Sequence, residues 1–206
     1  MRWKRACRDC HCAALMAGMQ SVIGHGQPAA CWFIGVGKGG ELLAAKRLWP
    51  ALPIYAVDPF LRSGFPIERG WRCAAWNEDT TLTVYVRGDK TSTMPSGYKR
   101  CREAIVPAVR LDRLAGVTAG PSVAFLDCET GGLAALEGGK KWLETVHWLA
   151  CEMAYGKVPA GWPKAKDIQR LLRASGFRLA LEIGRMRHRP KRQSSASGFD
   201  GLWVRS

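Results

Sequence analysis

The chain has 206 residues, 47% of them hydrophobic, and a formal net charge of +14. That length suits one α/β domain with a sizeable core and is short for two, while the apolar content excludes a disordered chain. No apolar run reaches the ~20 residues of a bilayer-spanning helix, and the basic N-terminus is a poor signal peptide, so a cytoplasmic protein with no membrane span is expected.

The charge is uneven: Lys164 to Ser206 holds eleven Lys and Arg against three Asp and Glu. Such a surplus attracts nucleic acid, acidic glycans or a membrane surface, or simply solvates a face of the protein. Eight cysteines invite a disulfide reading. Cys31, Cys73, Cys101, Cys128 and Cys151 are scattered, however, and mostly lie in apolar runs, so reduced, buried thiols are expected.

In chain order, residues 1–28 read as an N-terminal extension with a Cys/His cluster, and 29–206 as one domain. In the extension, Cys7, Cys10 and Cys12 bracket His11. Soft ligands at this spacing can hold zinc, with His11, His25 or a distant Cys completing the set. No second CxxC pair follows, and a basic N-terminus with exposed thiols is the alternative. Ala13 to Val22 is expected as a short helix ending near Gly24 and Gly26.

Ala30 to Val36 then reads as a strand running into glycines. Glu41 to Trp49 reads as a helix stopped by Pro50, and Pro53 to Val57 as a strand ending at Asp58-Pro59. A third strand is expected to end at Ala75, Trp76 and Asn77. Thr80 to Val86 is rich in β-branched residues and closes in the turn Arg87-Gly88-Asp89. Thr91 to Gly97 reads as an exposed loop over the active face. Ile105 to Leu111 reads as a strand, with Asp112 opening a short helix.

Val123 to Leu126 is a strand ending at Asp127, Leu133 to Leu143 a helix, and Val146 to Ala150 a strand ending near Glu152. Lys164 to Ala174 places Ile168, Leu171 and Leu172 on one helical face, with Gly176 as its C-terminal cap. Phe177 to Ile183 and Gly201 to Val204 are the last strands, joined by the basic, Ser-rich stretch Arg185 to Ser197. Short apolar strands alternating with helices predict a Rossmann-like α/β fold whose mostly parallel sheet is covered on both faces.

The sharpest local signal is Gly35-Val36-Gly37-Lys38-Gly39 at the first strand-to-helix turn. Glycines permit that turn and let a ligand approach the backbone, and an acidic residue ~20 positions on can accept ribose hydroxyls. Asp58 has that spacing. Dinucleotides and S-adenosylmethionine (SAM) share this geometry, and a purely turn-forming loop is the alternative.

Asp127, Glu129 and Glu152 fall at expected carboxyl ends of neighbouring strands, where open α/β sheets bind ligands. They can orient an acceptor, take its proton, or hold a divalent metal such as Mg²⁺ through hard oxygens. Pairing with surplus cations and helix capping are the structural alternatives. His147, within an apolar run, reads as a core histidine, and His188 as part of a cationic loop.

Downstream motifs separate the two ligands. Asp58-Pro59, Ala74-Ala75-Trp76-Asn77-Glu78-Asp79 before a strand, Leu111-Asp112-Arg113-Leu114, Leu126-Asp127-Cys128-Glu129 with Glu137-Gly138-Gly139, and Cys151-Glu152 occur in the order of corresponding elements in the FkbM family of SAM-dependent methyltransferases. Over most of residues 30–206 the chain resembles that family. Phe33 stands where the family usually has Asp, Gly37 where Asn is common, Thr130 where Gly follows the Asp-x-Glu, and Gly132 in place of a second Glu.

The resemblance implies a class I methyltransferase fold with an antiparallel final strand. It further implies SAM bound by Gly35, Val36, Gly37, Gly39, Asp58, Pro59, Ala75, Trp76 and Asn77, and O-methylation of a small molecule, sugar or glycan. A nucleic-acid methyltransferase or basic nucleic-acid-binding protein, resting on Arg185 to Arg192 and nearby tryptophans, and a non-catalytic SAM-binding module are the alternatives.

Overall fold

The computed structural model describes residues 2–88, 90–94, 101–118, 120–155, 162–184 and 197–206. At its centre Ala30–Ile34 (β1) is buried at every position. Its alternating side chains serve two cores, as the two-residue period of a strand dictates. Cys31 and Phe33 join the cluster built with the helices Arg2–Ile23 (α1) and Gly40–Leu48 (α2). Trp32 and Ile34 join the opposite cluster with Gly132–Glu137 (α3), Lys140–Thr145 (α4) and Ala165–Ala174 (α5).

Ile54–Val57 (β2) and Arg69–Trp71 (β3) extend the sheet on one side of β1, all in parallel. A second group of strands follows: Ala74–Trp76 (β4), Thr80–Arg87 (β5), Lys90–Ser92 (β6) and Arg102–Arg110 (β7), in the order β4-β7-β5-β6. Ser122–Leu126 (β8) returns to the other side of β1, and Val146–Tyr155 (β9) continues in parallel. Phe177–Gly184 (β10) and Ser197–Arg205 (β11) complete a seven-stranded sheet of order β10-β11-β9-β8-β1-β2-β3, with β11 antiparallel to both neighbours. The strand order reverses between β1 and β8, and such a reversal opens a crevice at the carboxyl ends of the strands.

Several elements differ from the sequence expectation. The expected third strand is two: β3 edges the main sheet, whereas β4, carrying Ala75 and Trp76, pairs with β7 in the smaller one. Thr91 and Ser92, expected in a loop, form β6 against β5; residues 95–97 lie outside the described residues. The helix expected over Leu133 to Leu143 is broken at Gly138-Gly139, where a Cβ on Gly138 would lie 1.9 Å from the Trp76 carbonyl oxygen. Only glycine fits so close to β4. α1 is far longer than expected and buries Leu15, Met16 and Met19 against the sheet. Glu152 lies inside β9, not at its end, because pairing with β11 carries that strand on to Tyr155.

Two polar ties join elements around the core that holds Trp32 and Ile34. Asp112 opens a 3₁₀ helix over Leu111–Val117, as expected, and its Oδ1 also accepts the backbone N–H groups of Lys141 (2.7 Å) and Trp142 (3.1 Å). It thereby caps α4 from outside the helix. Arg205 donates to the carbonyls of Val146, Ser175 and Leu143 and lies 4.6 Å over the Phe177 ring, joining β11 to three other elements. No helix among the described residues is long and apolar enough to cross a membrane.

Candidate active site

The chain leaves β1 through three residues with positive φ: Gly35 (84°), Gly37 (53°) and Gly39 (78°), a region that L side chains rarely adopt. A Cβ on Gly35 would sit 2.1 Å from the Asp127 carbonyl oxygen, so the loop crosses directly over the tip of β8. A Cβ on Gly39 would meet the Phe65 ring at 2.3 Å; the group that this glycine admits is thus Phe65, from the loop after β2.

Asp58 ties the loop to the tip of β2. Its Oδ2 accepts the N–H groups of Val36 (2.8 Å) and Gly37 (3.2 Å), and its Oδ1 accepts that of Phe60 (2.7 Å). Pro59 has no N–H, which leaves Phe60 as the first donor in reach and closes an Asx turn. A carboxylate offers about four acceptor sites, so Oδ1 retains capacity for a ligand hydroxyl. Phe33, at the position where the resembled family carries Asp, does not enter the crevice: it is 2% exposed and stacks on Phe125, with centroids 4.8 Å apart.

Asp127, Glu129 and Glu152 converge. Each offers an oxygen within 4.8 Å of the others; Asp127 is exposed and the two glutamates are half-buried. Asp127 follows β8, and Glu129 begins a 3₁₀ turn over Glu129–Gly131 with φ of 47°. Such a left-handed conformation is strained for a non-glycine residue. The field of these groups is felt at the adjacent thiols. Burial pushes Cys128 well above its ordinary range, and Asp127, Asp58 and Glu152 add to that; burial does the same to Cys151, reinforced by Asp200, Glu152 and Asp127. Both are free thiols, as are Cys31 and Cys73, in line with the reduced state expected.

Ala75 is buried and Trp76 half-buried in β4, and the Trp76 ring lies 3.7 Å from where a Cβ on Gly131 would stand, behind the 3₁₀ turn. Asn77 donates to Glu137 Oε2 (3.2 Å). In the N-terminal cluster, the Cys12 thiol donates to Glu41 Oε1 (3.4 Å), while the side chains of Cys7 and Cys10 lie outside the described residues. His147 is half-buried near the start of β9, at the sheet end opposite the crevice. Most of the basic stretch 185–197, His188 included, lies outside the described residues.

Two features escaped the sequence reading. His11 Nε2 meets Asp200 Oδ2 at 2.7 Å, and Asp200 faces Glu152 across the β9–β11 pair. Nothing in the local sequence links positions 11 and 200. Thr130, only 6% exposed, accepts the Thr93 N–H (2.9 Å) and lies within hydrogen-bond reach of the Ser92 hydroxyl (3.2 Å), which docks the end of β6 beside Glu129. Thr130 was visible as a departure from the family pattern; its hydroxyl provides this link.

The magnesium protoporphyrin IX methyltransferase of Synechocystis, solved with bound SAM, is similar over 98% of this chain and 81% of its own, at 11% identity and a TM-score of 0.54. The fold is that of a Rossmann-like methyltransferase. A SAM-dependent methyltransferase of Leishmania major (12% identity, 93% of this chain and 72% of that one, TM-score 0.46) and the precorrin-6y C5,15-methyltransferase of Geobacter metallireducens (12%, 91% and 87%, 0.43) are also similar. No protein-family model and no curated protein matches the sequence.

Proposed function

We propose that this chain is a SAM-dependent methyltransferase of the FkbM kind, which methylates a hydroxyl of a small molecule, sugar or glycan. The observation that carries the reading is one juxtaposition: a glycine turn latched to Asp58 on one side of the β1/β8 crevice, and three converging carboxylates on the other. The ordered motifs of the FkbM resemblance support it further.

The crevice suits the cofactor. Gly35 and Gly37 keep the turn free of side chains where the chain doubles back, and Asp58 Oδ1 keeps an acceptor site for a ribose hydroxyl. Trp76 supplies an aromatic surface for the adenine, with Asn77 held near it by Glu137. Bound SAM supplies a methyl group on a sulfonium, already a strong electrophile. The protein's task is then to align the acceptor oxygen and relieve it of its proton.

Glu129 and Glu152 are the groups for that task. Their half-buried carboxylates lie beside Asp127, and a carboxylate oxygen within hydrogen-bond reach of a hydroxyl can accept its proton. The proton passes from the acceptor hydroxyl to a carboxylate oxygen as the O–CH3 bond forms and the S–CH3 bond breaks, with S-adenosylhomocysteine as the leaving group. The same three side chains present hard oxygen donors, the set Mg²⁺ prefers; with the ion held there, the acceptor oxygen would be polarised.

The test is calorimetric titration with SAM, followed by transfer of a tritiated methyl group to a panel of hydroxylated small molecules and glycans. Binding with label incorporation supports the reading. Absence of SAM binding would sink it, and binding without transfer to any hydroxyl would redirect the search to another acceptor class.

A further inference from the structure

Adjacent residues of α1 reach to opposite sides of the crevice. His11 pairs with Asp200 of β11 at 2.7 Å, the two side chains being 19% and 7% exposed. Asp200 faces Glu152 across the strands, so this contact lies beside the carboxylate trio. Cys12, the next residue, donates its thiol to Glu41 in the first turn of α2, and its sulfur lies 3.5 Å from where a Cβ on Gly40 would stand. Gly40 directly follows the glycine turn.

Below these contacts the helix is seated firmly. A Cβ on Gly18 would fall 2.6 Å from Ile183 and 2.9 Å from Leu202, so α1 lies close against β10 and β11, with Leu15, Met16 and Met19 buried beneath it.

We propose that α1 is a strap that couples the two halves of the crevice, with His11 as the positioning residue on the acceptor side and Cys12 on the cofactor side. The physical reason is contact. A ligand that orders the turn at Gly35–Gly39 acts on Gly40 and Glu41, against which Cys12 rests; the rigid helix carries that to His11 and on to Asp200 beside Glu152. Conversely, fixing His11 on Asp200 holds α1 against the turn and so favours the ligand-bound arrangement. Two sites that bias the same docked element are coupled by the free energy of that docking. The strap rests on the methyltransferase reading.

The experiment is amide hydrogen exchange on the full chain with and without S-adenosylhomocysteine, with calorimetric titration of the same ligand into wild type, His11→Ala, His11→Gln and Asp200→Asn. Saturation with the ligand should slow exchange across residues 11–20 of wild type. His11→Ala and Asp200→Asn should speed it and weaken ligand affinity about five- to tenfold, the lower range of typical allosteric couplings. His11→Gln, which keeps a hydrogen-bond donor, should recover part of both. If wild type binds the ligand and the variants match it in affinity and in α1 exchange, the strap is wrong and the cofactor reading stands. If wild type itself shows no binding, both fall.

Discussion

Asp58 and Glu129 are side chains whose roles separate cleanly by experiment. Asp58 makes three hydrogen bonds to backbone N–H groups, and charged bonds of this kind contribute about 1.5–3 kcal/mol each. Asp58→Ala removes the latch on the glycine turn and, on the proposed reading, the ribose acceptor, so SAM affinity should fall at least about tenfold; unchanged affinity in calorimetry would take Asp58 out of the site. Glu129 sits at φ of 47°, a conformation costing roughly 1–2 kcal/mol for a residue with a Cβ. Glu129→Gly should therefore raise the unfolding free energy by about 1 kcal/mol while abolishing turnover on a competent acceptor. A loss of stability instead would show that the carboxylate contributes more to the fold than its strain costs.

Residue-scale legibility was uneven. The glycine turn and Asp58 were readable because their spacing is local, about twenty positions within one strand–helix–strand unit. That Phe33 turns into the core was readable only from the structure, since a strand's inward and outward faces look alike when both are covered. The partners of His11 and Thr130 lie far away in sequence, and no local pattern announces a contact between distant segments.

Among the elements, the apolar runs of β1, β2 and β8 stood out because central parallel strands are buried on both faces. Where local composition misled, tertiary contact had overridden it. The run from Leu133 to Leu143 has helical composition throughout, yet the approach of Gly138 to the Trp76 carbonyl splits it into α3 and α4. The short α4 that results depends on an outside cap. Asp112→Ala should cost about 1 kcal/mol, the usual value of an N-terminal cap, seen as a lower denaturant midpoint at constant slope. The Arg110–Asp112 ion pair lost with it adds little, because Arg110 is half-exposed and such pairs contribute about 0–1 kcal/mol. No change in midpoint would mean that Gly139 and solvent cap the helix unaided.

For the molecule as a whole, a cofactor that binds only the folded chain must stabilise all of it. At a hundredfold excess over its dissociation constant, S-adenosylhomocysteine should add about 2.7 kcal/mol, which for a chain of this size raises the unfolding temperature by roughly 5–10 °C. A flat melting temperature across such a titration would contradict the cofactor assignment independently of any acceptor. The whole-molecule charge also has a local exception: the net charge is +14, yet Asp58, Asp127, Glu129, Glu152 and Asp200 gather at one end of the sheet. Their proximity is a property of topology, for β2, β8, β9 and β11 bring together residues scattered over 142 positions, from 58 to 200.

The sequence by itself determined the alternation of strands and helices, the sharp glycine turn and its acidic partner, and the FkbM-like order of motifs. All of these are written in neighbouring residues through hydrophobic period, backbone freedom and short spacing. Only the tertiary structure decided that a second small sheet branches off before β8, that α1 meets β11 through His11 and α2 through Cys12, and that three carboxylates share one place. Those outcomes depend on which distant surfaces meet, and that is fixed by close packing of the assembled chain rather than by any local stretch of it.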